Sequence, residues 1–372
     1  MDSVLFKATN IENIPLKNRF VRSATFEGMA TFEGRPTQTL KELYSELADG
    51  EVGLIVTGLS HVDGYKSLPN IEGLPFPLAI DEDRFIGDWG EVIDRVHKRG
   101  AKIAMQIIHL GRQEIPHLRE PIAPSAVQLK NSDIFPREMT IDEISDLIEK
   151  FAQSCRRVKE AGFDAVQLHG GHGYLISNFI SPYFNIRTDE YGGSTENRAR
   201  LITEIIEHAR KLFGTEFPII IKMNFDDFIQ GGLNSDEAIK IAEIIVQAGI
   251  DAIEVTGGKS ADNPFRISAK WINREEDEAY FQSYSKALKK QMSVPVILVG
   301  GLRTPRVIDK LVNDEVADFI SMCRPFICEP GLIKRWKDGE INKAKCISSN
   351  KCRENMSRQS LKCYIEESLE QA

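Results

Sequence analysis

"FDAVQLHGGHGYLISNFISPYFNIRTDEYGGSTENRARL", residues 163–201, opens as a short apolar run and closes as a helical one. Between them lie a His-x-x-His pair, a tyrosine two residues further on, and a long connection. Phe163 to His169 reads as a strand buried on both faces, because parallel strands covered by helices carry near-continuous apolar runs. Such a strand needs neighbours of the same kind. The chain supplies them at "RFVRSA" (19–24), "VGLIVTG" (52–58), "KIAMQII" (102–108), "PIIIKMN" (218–224), "DAIEVTG" (251–257), "PVILVGG" (295–301) and "ADFISMC" (317–323).

Helical patterns fall between these runs. The clearest spans 141–159, where Ile141, Ile144, Ile148, Phe151, Cys155 and Val158 form one apolar stripe. Thr140 and Glu143 before it make a capping box. Thr304 and Pro305 read as a cap and first turn. Eight strands, each followed by a helix, predict an α/β fold, a closed (β/α)8 TIM barrel over residues 1–340. A doubly wound open sheet is the structural alternative. "LFKATNIENIPLKN" predicts a small hairpin beneath the barrel. Residues 341–372 are polar, cysteine-bearing and less periodic, and are expected to form an appendage and not an independent domain.

Composition narrows the function. The 372 residues are 42% hydrophobic with a net charge of −8, which argues against nucleic acid as a partner. No run of about eighteen apolar residues occurs, so no membrane partner is expected. "MDSVLFKATN" lacks a basic segment followed by an apolar core, and six scattered cysteines do not make a small disulfide scaffold. A cytoplasmic protein acting on a small molecule is expected, with a homo-oligomer left open.

Barrel active sites form at the carboxyl ends of the strands. Gly300 and Gly301 end the seventh run and Arg324 follows the eighth. Backbone N–H groups at such glycines approach an anion closely, and a guanidinium adds a charge-assisted partner. This constellation reads as a phosphate site; the glycines alone would read as a chain turn. Lys222 has two readings, a Schiff-base nucleophile or a fixed cation beside a group that becomes negative. His169 and His172 lack an obvious third metal ligand, so no metal is expected. Either could be a structural histidine alone. Together, at a strand end, they read as donors aimed at one oxygen, with the Tyr174 phenol as a proton source.

"HGGHGYLISNFISPYFNIRTDEYGGSTENRARL" resembles the signature of the Old Yellow Enzyme family of FMN-dependent oxidoreductases, which includes ene-reductases and the flavin domain of bacterial 2,4-dienoyl-CoA reductases. The resemblance runs from "LKNRFVRSA" through "PIAPSA" (121–126) to "RPFICEPGL" near residue 332. It implies FMN across the barrel mouth and NADH or NADPH as reductant. Ala24 and Thr25 would lie by the isoalloxazine, with Gly58 permitting close approach. Gln106 would bond the pyrimidine edge, and Lys222 would stand near N1 and O2. Gly300, Gly301, Cys323 and Arg324 would cradle the phosphate. His169 and His172 would grip the carbonyl oxygen of an activated alkene, and Tyr174 would protonate its α-carbon.

The chain departs from the pattern in places. The first loop reads Thr25-Phe26 without a thiol, and strand five carries a lysine where the family has arginine. Longer relatives bind an iron–sulfur cluster after the barrel. Here Cys346, Cys352 and Cys363 are present but Ser349 occupies a ligand position, so no cluster is expected. The chain is also expected to lack the second flavin and nucleotide domains of those relatives. The reading is NAD(P)H-driven reduction of an activated C=C bond. Alternatives are FMN-dependent oxidation of an amine or alicyclic substrate, a flavin-free Schiff-base lyase using Lys222, and a non-catalytic flavin-binding protein.

Overall fold

The computed structural model describes residues 3–63, 76–116, 118–128, 133, 135–258, 270–354 and 360–364. Eight parallel strands form the barrel: β1 (Phe20–Arg22), β2 (Leu54–His61), β3 (Lys102–Ile108), β4 (Ala165–Gly170), β5 (Ile219–Asn224), β6 (Ala252–Thr256), β7 (Val296–Val299) and β8 (Phe319–Met322). Each pairs with the next, and β8 pairs with β1, which closes the ring. The TIM-barrel expectation holds. Helices α1 (Gln38–Asp49), α2 (Gly90–His97), α3 (Ile141–Glu160), α4 (Thr195–Phe213), α5 (Ser235–Gln247), α6 (Gln282–Lys289), α7 (Pro305–Asn313) and α8 (Leu332–Lys337) follow the strands in turn.

Side chains alternate along a strand, so every second residue faces the barrel axis. At the amino end, Val56, Ala104, Ala165, Ile220, Ala252, Ile297 and Phe319 share one apolar cluster. Ile11, Ile14 and Leu16 of the antiparallel pair Thr9–Ile11 and Ile14–Leu16 join that cluster and seal it. The hairpin therefore lies where it was expected, as a plug. Two residues further along the strands stand Gln106, Gln167, Lys222 and Glu254, which are buried and polar. The barrel interior thus changes from oily to polar on the way to its carboxyl end.

The α3 capping box is formed as expected: Thr140 Oγ1 accepts from Glu143 N at 3.2 Å, and Glu143 accepts from Thr140 N at 2.8 Å. Thr140→Ala should cost about 1 kcal/mol, read from the urea midpoint. Thr304 differs from expectation. Pro305 does open α7, but the Thr304 hydroxyl donates to Glu278 Oε1 at 2.5 Å and makes no cap bond. A buried carboxylate is the stronger acceptor and takes the hydroxyl. β2 also runs past Gly58 to His61, through a register shift between Val56 and Leu59.

The long connection after β4 is packed. All six residues of the short helix Leu175–Ile180 are buried. Arg187 donates to Pro124 O and Met139 O and pairs with Asp189; Arg198 pairs with Glu237. Those anchored arginines hold the loop against α3 and α5, so the residues preceding it at the strand end are rigidly placed. The described part of the segment after residue 340 lies on the same mouth. Ala344 N donates to Arg303 O, and Leu361 N donates to Glu27 O. No helix among the described residues is long and apolar enough to cross a membrane.

Candidate active site

A cavity opens at the carboxyl end of the barrel. Its floor carries Ser23, Lys222 and Ser321, one side carries His172 and Thr256, and the other carries Gly300, Gly301, Arg303 and Arg324. Of the residues named from sequence, Ala24, His172, Lys222, Gly300, Gly301, Cys323 and Arg324 border this space. Thr25 sits behind it, its hydroxyl 2.9 Å from Ser23 O and 3.0 Å from Cys323 Sγ. Gln106 lies deeper, donating to Gln167 Oε1 at 2.8 Å. Gly58 faces the first loop: a Cβ there would lie 1.9 Å from Glu27 Oε2 and 2.6 Å from Thr25 O. Its glycine is explained by that crowding.

The histidine pair and tyrosine are brought together. The ring centroids of His169 and His172 are 5.1 Å apart, and those of His169 and Tyr174 5.0 Å. His172 has φ +60, an uncommon conformation for a residue with a Cβ. Asn224 holds it there, accepting from His172 N at 3.0 Å. His172 Nε2 lies 2.8 Å from Thr256 Oγ1. When that hydroxyl donates, Nδ1–H of a neutral ring remains to bind a ligand. His169 Nδ1 is buried with no protein partner, which is costly unless a ligand or water meets it.

Both rings are neutral at working pH. Burial lowers His169 well below the usual value, with His172 and Lys222 adding to it. Burial and Lys222 bring His172 down to about 3. Burial pushes the Tyr174 phenol above its ordinary value, against the pull of Arg353 from the C-terminal segment. A protonated phenol beside two uncharged imidazoles is a set of proton donors with no net charge.

These buried histidines make the fold acid-sensitive. Burial, helped by Arg119, also brings His61 at the end of β2 down to about 4. Above pH 6.5 both folded and unfolded states are neutral at these positions, and they contribute no pH dependence. At His61 and His172, below 6.5 the unfolded chain takes a proton that the folded chain refuses until about pH 4 and about pH 3 respectively. Stability should therefore fall with falling pH across that window, by roughly 2 kcal/mol per histidine at pH 5. Urea midpoints at pH 7 and 5 should show this, with a smaller drop in His61→Gln.

The phosphate end fits FMN. Gly300 and Gly301 have φ +136 and +73. A Cβ on Gly301 would meet Ile272 Cδ1 at 2.6 Å, so only glycine leaves this wall open. Arg324 Nη1 donates to Lys270 O and Asn350 Oδ1, which orients its guanidinium. Arg303 was not singled out in the sequence. It is buried beside the glycines, where Nη1 donates to Cys346 O at 3.3 Å and Nε, 3.7 Å from Glu278 Oε1, makes an ion pair but no hydrogen bond. An unsatisfied buried guanidinium donor at a glycine cradle suits a phosphate. Replacing Arg303 or Arg324 by alanine should weaken FMN binding tenfold or more each, measured by fluorescence titration of the apoprotein.

Comparison with known proteins identifies the family. The model for the NADH:flavin oxidoreductase / NADH oxidase family matches residues 4–343. The chain belongs to this family. Family membership brings FMN as cofactor and NADH or NADPH as reductant, as the resemblance implied. It also sets aside the flavin-free lyase reading of Lys222. The chain is 35% identical to the NADH oxidase of Thermoanaerobacter brockii, across 93% of this chain and 52% of that protein. It is 31% identical to the cinnamate reductase of Clostridium sporogenes, across 93% and 54%. The structure of 2-naphthoyl-CoA reductase with 2-naphthoyl-CoA superposes with a TM-score of 0.84 at 28% identity, covering 94% of this chain and 54% of that one. The chain spans about half the length of each.

Several buried groups escaped the sequence reading. Glu254, Gln167, Ser23 and Ser321 form a hydrogen-bonded layer under Lys222. Gln167 and Glu254 stand two residues before His169 and Thr256, so the period-two rule applied backward from the strand ends finds them. Among the described residues, no group of three or more His, Cys, Asp or Glu is placed to hold a metal ion. The loops 25–36, 110–139 and 257–276 follow strand ends on the side of the cavity. Residues 259–269, with 117, 129–132 and 134, lie outside the described residues.

Proposed function

We propose that this chain uses FMN and NADH or NADPH to reduce the activated C=C bond of α,β-unsaturated carbonyl compounds or enoates. The observation that carries the reading is the gathering of His169, His172 and Tyr174, all uncharged, at the end of β4, with His169 in register with Lys222 and His172 bordering the cavity. Bound FMN supplies the hydride for the β-carbon of the substrate. Negative charge then develops on the carbonyl oxygen. His169 and His172 donate to that oxygen, and being neutral and fixed they need no reorganisation as the charge grows. Tyr174 delivers a proton to the α-carbon. Lys222, fixed at the cavity floor, would place positive charge beside the bound flavin. Gly300, Gly301, Cys323, Arg303 and Arg324 would hold its phosphate.

The activities for which two similar proteins are named, cinnamate reductase and 2-naphthoyl-CoA reductase, support a conjugated acyl substrate. The test is turnover on a panel of enones, enoates, amines and alicyclic alcohols, with NAD(P)H consumption and product identity as readouts. Reduction of enones or enoates is expected. Oxidation of an amine, with no alkene reduced, overturns the reading.

A further inference from the structure

Lys222 does not stand alone beneath the cavity. Its Nζ lies 3.1 Å from Glu254 Oε1 and donates to Ser23 Oγ at 2.7 Å. Glu254 is fully buried on β6, in register with Lys222 on β5. Its carboxylate is saturated with donors. Ser23 Oγ donates to Oε1 at 2.7 Å and Ser321 Oγ to the same oxygen at 2.9 Å. Gln167 Nε2 donates to Oε2 at 2.9 Å. Burial alone would raise this carboxyl, but Lys222 and the three side-chain donors outweigh it and hold it below the usual range. Glu254 is therefore ionised, and the pair beneath the cavity is neutral as a unit.

An unopposed ammonium at this place would favour whatever negative charge the flavin gathers on reduction. A carboxylate 3.1 Å behind the ammonium offsets that preference. It is also held where it cannot swing away, because all its hydrogen bonds come from barrel strands or from the first loop. We propose that Glu254 is a positioning residue and counter-charge that, through Lys222, lowers the reduction potential of bound FMN. The assignment rests on FMN occupying this cavity and not on the identity of the alkene substrate. A lower potential makes the reduced cofactor a stronger hydride donor, which suits a weakly activated acceptor better than a strongly activated one.

The experiment compares Glu254→Gln with Glu254→Asp in the FMN-loaded protein, by equilibrium redox titration against reference dyes from pH 6 to 9. Glu254→Gln keeps the shape and removes the charge. Its potential should rise by at least a tenfold change in the reduction equilibrium, about 30 mV for a two-electron couple. Glu254→Asp keeps the charge and should stay near the wild-type potential even if it is less stable. Equal shifts in both variants make the effect one of packing, and no shift in Glu254→Gln at pH 6 removes the counter-charge; either overturns the proposal. Wild-type protein that holds no FMN overturns the cavity assignment and this proposal with it. Failure to reduce any alkene, with the potential shift intact, overturns only the substrate reading.

Discussion

Tyr174→Phe is expected to slow reoxidation of the reduced enzyme by an enone about 10²-fold, while reduction by NAD(P)H proceeds at the wild-type rate. The asymmetry follows from where protons are needed. Hydride delivery to the β-carbon leaves the α-carbon needing a proton, and in the proposed mechanism the Tyr174 phenol is the general acid that supplies it. Reduction of the flavin by a nicotinamide needs no proton from this side chain. The ring contact with His169 at 5.0 Å survives the loss of the hydroxyl, so the neighbouring donors should stay in place.

His169→Ala and His172→Ala should act differently. On the proposed mechanism each removes a donor to the developing oxyanion, an effect of about 3 kcal/mol or 10²-fold in rate. Each should also weaken binding of phenolate ligands, which imitate that oxygen; Tyr174→Phe should not. Because both imidazoles are already neutral at pH 7, the alkene half-reaction should show no histidine titration between pH 5 and 8. Stopped-flow traces of the two half-reactions decide the matter. Wild-type reoxidation in Tyr174→Phe would assign the proton to water. Wild-type behaviour in both histidine variants as well would remove the oxygen-binding role and favour amine oxidation.

The parts of the fold that could be read from sequence are those governed by local pattern. Eight apolar runs marked the strands, because a strand buried on both faces must be apolar nearly throughout. The histidine pair stood out because glycines isolate it at a strand end. β2 was read three residues short. Gly58 and the polar residues after it look like a loop, and only the pairing with β3 carries the strand on to His61. Glu254 was missed for a related reason. One charged residue inside "AIEVT" looks like noise until strand register sets Lys222 beside it. Thr304 was read as a cap, since nothing local announces that Glu278 would compete for its hydroxyl. Contacts between segments distant in sequence carried all three.

Arg22 is the largest such case, and its loss should cost about 3–5 kcal/mol. In "RFVRSA" it looks like a surface cation at the end of a strand, yet it is 3% exposed. Its Nη2 lies 2.8 Å from Glu27 Oε1, and its Nη1 donates to Val56 O at 2.7 Å. Glu27 Oε1 in turn accepts from Tyr44 OH at 2.8 Å and from Gly58 N at 3.1 Å. This knot fastens the loop after β1, which carries Ala24 to the cavity, onto β2 and α1. Arg22→Met leaves a buried carboxylate without its cation, which is why the cost exceeds that of an exposed ion pair. The loop should loosen as well, so FMN affinity should fall together with the urea midpoint. Glu27→Gln in the same chain removes the stranded charge. The double variant should therefore recover part of the stability lost in Arg22→Met, a coupling that a double-mutant cycle measures directly. A loss below about 1 kcal/mol in Arg22→Met, or strict additivity in the cycle, would show that the pair is not what holds the loop to the barrel.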